Sequence, residues 1–394
     1  MSDILKGIRV LDFGRYIAGP YCGTLLADLG ADVIRIEKPS GGEDRYTVPI
    51  SAEGEGAYHV QLGRNKRGMT LNPRSVDGRE VVCRLVETAD VVIANLPFPA
   101  LKKLGLDYET LASIKADIIL TTGSAFGSTG PYAERGGFDT VAQAMSGSMY
   151  LNGEPGTPAK SFAPYCDFGT ASLSAFGTLA ALMHRDKTGE GQIVEGSLLG
   201  TALAFNNAAL MEEAALGLGR QGTGTRGQYN APTDTFPTSD GWITVQIVGG
   251  GLFERWADLM GETHWLNDER FSTDQLRGDH GELISGRMLQ WCEQRTVAQA
   301  TQELTKASIP CGEMLAPKQV LQNQQVTETA MFQALEYPGV TEKTMVADHP
   351  VRYSKTKVGA FKRAPTLGEH TNELLAELGY SSDEIASLRQ NGDI

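Results

Sequence analysis

The chain has 394 residues, 41% hydrophobic and 21% charged, with a formal net charge of −13; this is ordinary globular composition, long enough for two domains, and its acidity disfavours nucleic acid and anionic membrane as partners. No apolar run approaches the roughly 20 residues of a membrane span. Five cysteines without a C-x-x-C pair and six histidines never at H-x-x-x-H spacing argue against a disulfide framework or a zinc site, so reduced thiols and no metal are expected.

In chain order, the start MSDILKGIRV lacks a basic segment followed by a long apolar one, which points to the cytoplasm. Val10 to Phe13 reads as a strand, and Gly14 stands where a chain leaving a strand needs a permissive backbone. Leu25, Leu26 and Leu29 form a helical stripe ended by Gly30, and Val33 to Ile36 is a second strand. Glu37-Lys38-Pro39 then leaves charge at the carboxyl end, where open parallel α/β sheets place their ligands. Glu37 follows the turn by about 20 residues, the place of the ribose-binding acid of nicotinamide enzymes. The glycines oppose that reading. Gly14, Gly19 and Gly23 are spaced G-x4-G-x3-G rather than G-x-G-x-x-G, and Pro20 removes an N–H where a pyrophosphate needs donors.

Val91 to Ala94 and Ile118 to Thr121 fit further strands of the same sheet. Ala171 to Met183 reads as a buried helix whose preceding loop presents Asp167, and a turn at Lys187 to Gly191 leads to a strand at Gln192 to Glu195. These elements make a large domain over residues 1–200, followed by a linker helix and glycine-rich loop over 201–227. Trp242 to Val248 alternates like a half-buried strand, Gly249-Gly250-Gly251 breaks it, and Phe253, Trp256, Ala257 and Met260 mark a helix of a small domain over 228–325. The last part, 326–394, with a helix over Asn372 to Leu378, is expected to return to the large domain.

Asp167 lies among aromatic and small residues, a costly place for an unpaired charge. It can be a helix N-cap, or a carboxylate held by helix N–H groups and available as nucleophile or proton acceptor. The glycines at 222–227 and 249–251 suit a moving lid or oxyanion donors, and equally a linker and a turn. Lys38, Arg67, Arg74, Lys103 and Arg135 can receive phosphates or be solvated charges, and Asn95 can bond a ligand or cap a turn. Each histidine reads as a surface or hydrogen-bonded structural residue.

In their order along nearly the whole chain, several pieces resemble the class III CoA-transferases, the group of formyl-CoA, carnitine and bile-acid CoA-transferases, with which the α-methylacyl-CoA racemases share a fold. The pieces are Gly7 to Pro39, Asn65-Lys66-Arg67, Ala89-Asp90 to Asn95, Phe126-Gly127 to Gly130-Pro131, Asp167, Thr188-Gly189-Glu190-Gly191-Gln192, Ile309-Pro310-Cys311-Gly312, and Arg363-Ala364-Pro365 to Thr371. The resemblance implies a Rossmann-like large domain with a parallel sheet, made from both ends of the chain, a smaller α+β middle domain, and a homodimer interlocked as rings. It implies an acyl-CoA donor and a small carboxylic acid acceptor, with Asp167 as the catalytic residue. In the family this carboxylate attacks the thioester to give a mixed anhydride, the CoA thiolate converts it to an aspartyl-CoA thioester, and the acceptor collects the CoA. Whether Glu195, Asp139 or another carboxylate assists Asp167 is not fixed by the sequence.

For CoA, the positions matching the family are Ile17, Ala18, Lys38, Leu71, Arg74, Asn95, Leu96, Pro97, Lys103, Leu104, Gly136, Gly137, Phe138 and Asp139. The glycine loop that covers the aspartate in the formyl-CoA branch corresponds by order to Gly224 to Asn230, while Gly249 to Gly251 follows its strand rather than preceding it. Two departures bear on substrate. The racemases carry Gly-His-Asp where this chain has Gly137-Phe138-Asp139, which argues against racemisation on both faces of the α-carbon. Formyl-CoA transferase has glutamine where this chain has Ile17, so oxalate and formate are not assigned. The rivals are an acyl-CoA racemase or epimerase, a CoA-binding protein without catalysis and, more distantly, a nicotinamide oxidoreductase.

Overall fold

Six short segments become the strands of one parallel sheet: β1 (Arg9–Asp12), β2 (Asp32–Glu37), β3 (Arg67–Thr70), β4 (Val91–Ala94), β5 (Ile119–Ser124) and β6 (Ile193–Ser197). Their order is β3-β2-β1-β4-β5-β6, every neighbouring pair is parallel, and the order reverses direction between β1 and β4. The computed structural model describes residues 4–52, 54–356, 358 and 361–394. Val10 and Leu11 of β1 and Val91 to Ala94 of β4, at the centre of the sheet, are apolar because helices cover both faces.

Neighbouring residues on β1 serve opposite faces, as the two-residue period of a strand requires. Val10 packs with Val33, Val91 and Ile119 against Leu26 of helix α1 (Ala18–Asp28) and against Ala171 and Ala175. Leu11 packs with Ile34, Met69 and Val92 on the other face. That face is covered by α3 (Val76–Thr88), α4 (Phe98–Leu104) and α5 (Tyr108–Ile114), while α2 (Ala57–Leu62) meets α1, whose Thr24 hydroxyl donates to the Leu62 carbonyl. Beyond β5 come α6 (Asp139–Met145), α7 (Ser148–Leu151), α8 (Tyr165–Thr188) and α9 (Leu198–Leu216).

Helix α8 begins six residues before the apolar stretch that advertises it, so Asp167 lies in its first turn and not in a preceding loop. Nor is Asp167 the N-cap, a position held by Pro164 without any side-chain cap. The helix is also not buried all round. Leu173, Phe176 and Met183 are exposed.

The described chain divides into two compact units. The larger takes the chain up to Ser146, then Ser161–Ala208 and Thr327–Ile394. In its last part the hairpin β10 (Phe332–Leu335) with β11 (Thr344–Ala347) precedes two helices, Thr371–Glu377 and Ser382–Gln390, whose Leu374, Leu375, Ile385 and Leu388 join the core of Leu11 and Ile34.

The smaller unit takes Gly147–Lys160 and Ala209–Val326. The expectation of one domain over 1–200 therefore needs amending at 147–160. The physical reason is that Gly153 bridges to Gly224, whose N–H donates to its carbonyl at 2.6 Å, and Tyr150 donates to Gln221 at 2.8 Å. The same contacts tie down part of the glycine-rich stretch expected to be a linker. Here β7 (Thr233–Pro237), β8 (Trp242–Gln246) and β9 (Cys311–Glu313) form an antiparallel sheet. Ile243 and Val245 of β8 are buried against Trp256, Met288 and Leu304 of the covering helices, while Trp242, Thr244 and Gln246 face outward. Among the described residues no helix is long and apolar enough to cross a membrane.

Candidate active site

The reversal of strand order between β1 and β4 opens a crevice at the strands' carboxyl ends, where doubly wound folds bind ligands. The turn after β1 forms its floor. Gly14 and Gly19 approach so closely that a Cβ on Gly14 would lie 2.8 Å from Pro20 and 2.9 Å from the Gly19 backbone. Asp12 accepts from the Gly14 N–H at 2.8 Å. Lys66, fully buried, donates to Asp12 Oδ2 at 2.7 Å and to the Pro20 carbonyl at 2.6 Å, and Arg35 donates to the Gly14 carbonyl.

Asn95, at the end of β4, is spent on the same turn. Its Oδ1 accepts from Arg15 N–H at 2.6 Å and its Nδ2 donates to the Arg15 carbonyl at 2.9 Å. It clamps the peptide and lines the crevice beside it.

Above the turn lies a cavity of about 620 Å³. Its wall includes Arg15, Tyr16 and Ala18 after β1, Asn95 to Pro97 after β4, Gly123 to Ala125 at β5, Arg135 to Phe138 before α6, and Asp167 and Thr170 on α8. Thus Asp167 meets seven of the sequence-matched CoA positions: Ala18, Asn95, Leu96, Pro97, Gly136, Gly137 and Phe138. The other seven do not line it. Leu71 is in the core with no exposed surface, Ile17 is buried, and Leu104 packs against the core. Lys38 pairs at 2.6 Å with Glu43, which does line the cavity, and Arg74 and Lys103 stand on the surface. Asp139 is buried and occupied with the start of α8.

Asp139 supplies the cap that the sequence around Asp167 lacks. Its Oδ1 accepts from the N–H groups of Cys166 at 2.7 Å and Asp167 at 3.1 Å, and its Oδ2 accepts from Gln143. Two otherwise unpaired donors of the first turn of α8 are thereby satisfied by a carboxylate from another helix. Asp167 is left with 9% exposure and, among the described residues, no donor to its carboxylate. Burial first, and the Asp139 carboxylate second, push its pKa up to about 7. Glu195 is held elsewhere, by the N–H and hydroxyl of Ser128.

Two neighbours escape a reading of the sequence. Burial, then Asp139, pushes the thiol of Cys166 up to about 12, so at neutral pH it is a poor nucleophile beside Asp167. Tyr58 on α2 stands close enough that Asp167 and Asp139, after burial, raise its pKa and keep its phenol protonated. No local signal marks Tyr58, because α2 is brought to the site by the fold alone.

The acid expected for a nicotinamide ribose is not available. Glu37 is buried and accepts from Arg45 Nη2 at 2.6 Å and Nε at 3.2 Å. Arg67 is likewise taken by Asp32, Glu373 and Glu377. Among the described residues there is no group of three or more His, Cys, Asp or Glu able to hold a metal ion, and His59 is buried against the Pro365 carbonyl at 3.0 Å.

A doubly wound parallel sheet binds its ligands in the crevice at the strand-order reversal, and in this chain a buried carboxylate faces that crevice. The chain belongs to CoA-transferase family III, whose model matches residues 5–371. It is similar to the succinate–glutarate CoA-transferase of Agrobacterium fabrum, 34% identical over 95% of each chain, and to the succinyl-CoA–D-citramalate CoA-transferase of Chloroflexus aurantiacus, 31% identical over 98% of this chain and 96% of that one. A crystal structure of a CaiB/BaiF family protein from Brucella suis superposes with a TM-score of 0.82 at 33% identity, covering 96% of this chain and all of that one.

Proposed function

We propose that this class III CoA-transferase moves CoA from a dicarboxylic acyl-CoA to a second dicarboxylic acid through covalent Asp167 intermediates. The observation that carries the mechanism is a buried carboxylate facing a large cavity with a second carboxylate behind it and no cation bonded to it. Such a carboxylate is poorly solvated and more basic than in water, which makes its ionised form a stronger nucleophile.

An Asp167 oxygen attacks the thioester carbonyl, the C–S bond breaks, and a mixed anhydride and CoA thiolate result. The thiolate attacks the aspartyl carbonyl and expels the donor acid, leaving an aspartyl-CoA thioester. The acceptor carboxylate then runs the two steps in reverse and restores the Asp167 carboxylate. No net proton is gained or lost, so the protein's task is to hold the groups in line and receive negative charge at each carbonyl oxygen. In this reading the pantetheine arm follows Ala18, Asn95 to Pro97 and Gly136 to Phe138, and the phenol of Tyr58 is available as a donor near Asp167.

The dicarboxylic substrate class rests on the relatives named above, which are named for succinate, glutarate and citramalate. Against a racemase stands the absence of any histidine among the described residues lining the cavity. A homodimer is part of the same reading. Phe176 and Met183 on α8 and Phe205 on α9 are 72%, 63% and 57% exposed, an apolar surface that a second copy would cover. Sedimentation at micromolar concentration should give twice the chain mass, and a monomer would remove the dimer from the proposal.

The mechanism is tested by mixing the protein with a panel of acyl-CoAs, adding hydroxylamine and mapping the peptides by mass spectrometry. A hydroxamate at Asp167 with a dicarboxylic donor is expected. Deuterium uptake at the α-carbon of an acyl-CoA, with Asp167 unmodified, would convert the reading to a racemase.

A further inference from the structure

Two residues lining the cavity carry a permanent positive charge, and only one of them is neutralised by the protein. Arg15 donates Nε to Asp44 at 2.7 Å and Nη2 to Glu43. Arg135 has no such partner: among the described residues no carboxylate is paired with it, and no side-chain hydrogen bond engages its guanidinium.

The guanidinium is nevertheless held. It lies 4.3 Å from the ring centre of Tyr132 and 5.6 Å from that of Phe126, and these two rings are themselves in contact at 5.5 Å. Stacking on rings occupies the face of an arginine and leaves the N–H groups at its edge free to donate in pairs to an oxyanion. The platform is fixed to the sheet. The Arg135 N–H donates to the Tyr132 carbonyl at 2.9 Å, the Gly127 N–H to Ser124 at the end of β5 at 2.9 Å, and the Ser128 hydroxyl to Glu195 of β6 at 2.7 Å. Arg135 itself is exposed, so the stacked rings give its guanidinium a direction while its edge stays open to a ligand.

We propose that Arg135 is the anion anchor of the cavity, binding an oxyanion of the acyl-CoA, either a CoA phosphate or the far carboxylate of a dicarboxylic acyl group. The proposal rests on the CoA-transferase reading and adds to it the group that sets where the substrate's charge lies.

Calorimetric titration of the full chain and of Arg135→Met separates the two sources. The probes are non-cleavable ketone analogues of succinyl-CoA, acetyl-CoA and succinyl-pantetheine, the last without phosphate at the nucleotide end. A charge-assisted bidentate contact predicts a loss of affinity of about tenfold or more on removing the arginine. If the anchor holds a phosphate, the loss appears with both CoA analogues and not with the pantetheine analogue. If it holds the far carboxylate, the loss appears with both succinyl analogues and not with the acetyl one. Arg135→Lys, which keeps the charge but not the flat fork, should lose only part. Affinities within twofold for all three probes, or an equal loss for all three, would overturn the anchor and leave CoA transfer intact. Failure of the wild-type chain to bind any of the three would sink the CoA reading and the anchor with it.

Discussion

Asp12, buried beneath the turn at the crevice floor, and Asp167, buried in the crevice wall, are both aspartates whose acidities move in opposite directions. Burial raises both. At Asp12 that effect is outweighed by Lys66 and Arg35, with hydrogen bonds from Lys66 and the Gly14 N–H, and the carboxyl ends below its ordinary value. At Asp167 the only nearby charge among the described residues is another carboxylate, and the carboxyl rises to about 7. Depth in the protein therefore does not by itself set the acidity of a carboxyl. The sign of the neighbour decides.

The strongest test of this contrast is Asp167→Asn. CoA transfer should fall by about 10³-fold or more, the scale for removing a covalent nucleophile. Stability should move the other way. A carboxyl whose pKa is raised on folding binds its proton more tightly in the native state, so wild-type stability falls as pH rises from about 3.8 through about 7. The amide removes that loss, and at pH 8 the variant should be more stable on the order of 2–4 kcal/mol, with the gap closing toward pH 4. Denaturant unfolding at both pH values measures it. A variant that is inactive but no more stable at pH 8 would mean that Asp167 is not strained by its surroundings.

Lys66→Met attacks the other carboxylate. It leaves Asp12 buried without its nearest cation and removes one donor from the Pro20 carbonyl, and breaking a buried pair from one side costs about 3–5 kcal/mol. Adding Asp12→Asn should recover part of the loss. Wild-type Asp12 stabilises the fold above the unfolded pKa of about 3.8, and that contribution disappears as pH falls through its depressed folded value. Acid unfolding of the wild type against the double variant reads the difference. A single variant as stable as the wild type would show that Asp12 does not need its partner.

Much of this contrast is hidden from the sequence, for reasons that differ by residue. The strands at Val10, Val33, Val91 and Ile119 are legible because burial on both faces makes them apolar runs. β3 is not, since Arg67-Gly68-Met69-Thr70 contributes one large apolar side chain and begins with an arginine paired to distant acids. The start of α8 is illegible because its cap comes from Asp139, 27 residues earlier, so Pro164-Tyr165-Cys166 carries no local start signal. The motif order points to Asp167. The rise in its pKa cannot be read there, because it comes from burial and a carboxylate on another helix.

Gly14→Ala probes the turn between the two aspartates. The new methyl would meet Asp12 Oδ1 and Pro20 at 2.8 Å and the Gly19 backbone at 2.9 Å, contacts that no flexible side chain can relieve. Overpacking of this kind costs about 1–3 kcal/mol. Because the turn also positions Arg15 and Tyr16 in the cavity wall, KM for the acyl-CoA should rise more than kcat falls. Full stability with unchanged KM would indicate a turn able to open without consequence.

The smallest and most diagnostic change is Asp139→Asn. The amide oxygen can still accept from Cys166 and Asp167, while the amide NH2 can no longer accept from Gln143, so the start of α8 should survive with a loss of about 1–2 kcal/mol. What disappears is the second cause of the raised Asp167 pKa. The proposed mechanism requires Asp167 to be ionised, so log kcat/KM of the wild type should climb with pH and level off above about 7. In the variant burial remains and repulsion does not, so the midpoint should fall by about one unit without reaching the value of a solvated aspartate. Activity at pH 6 would then rise relative to the plateau even as the plateau drops, because a less basic carboxylate attacks the thioester more slowly. A midpoint that stays near 7 would assign the whole rise to burial and reduce Asp139 to a helix cap.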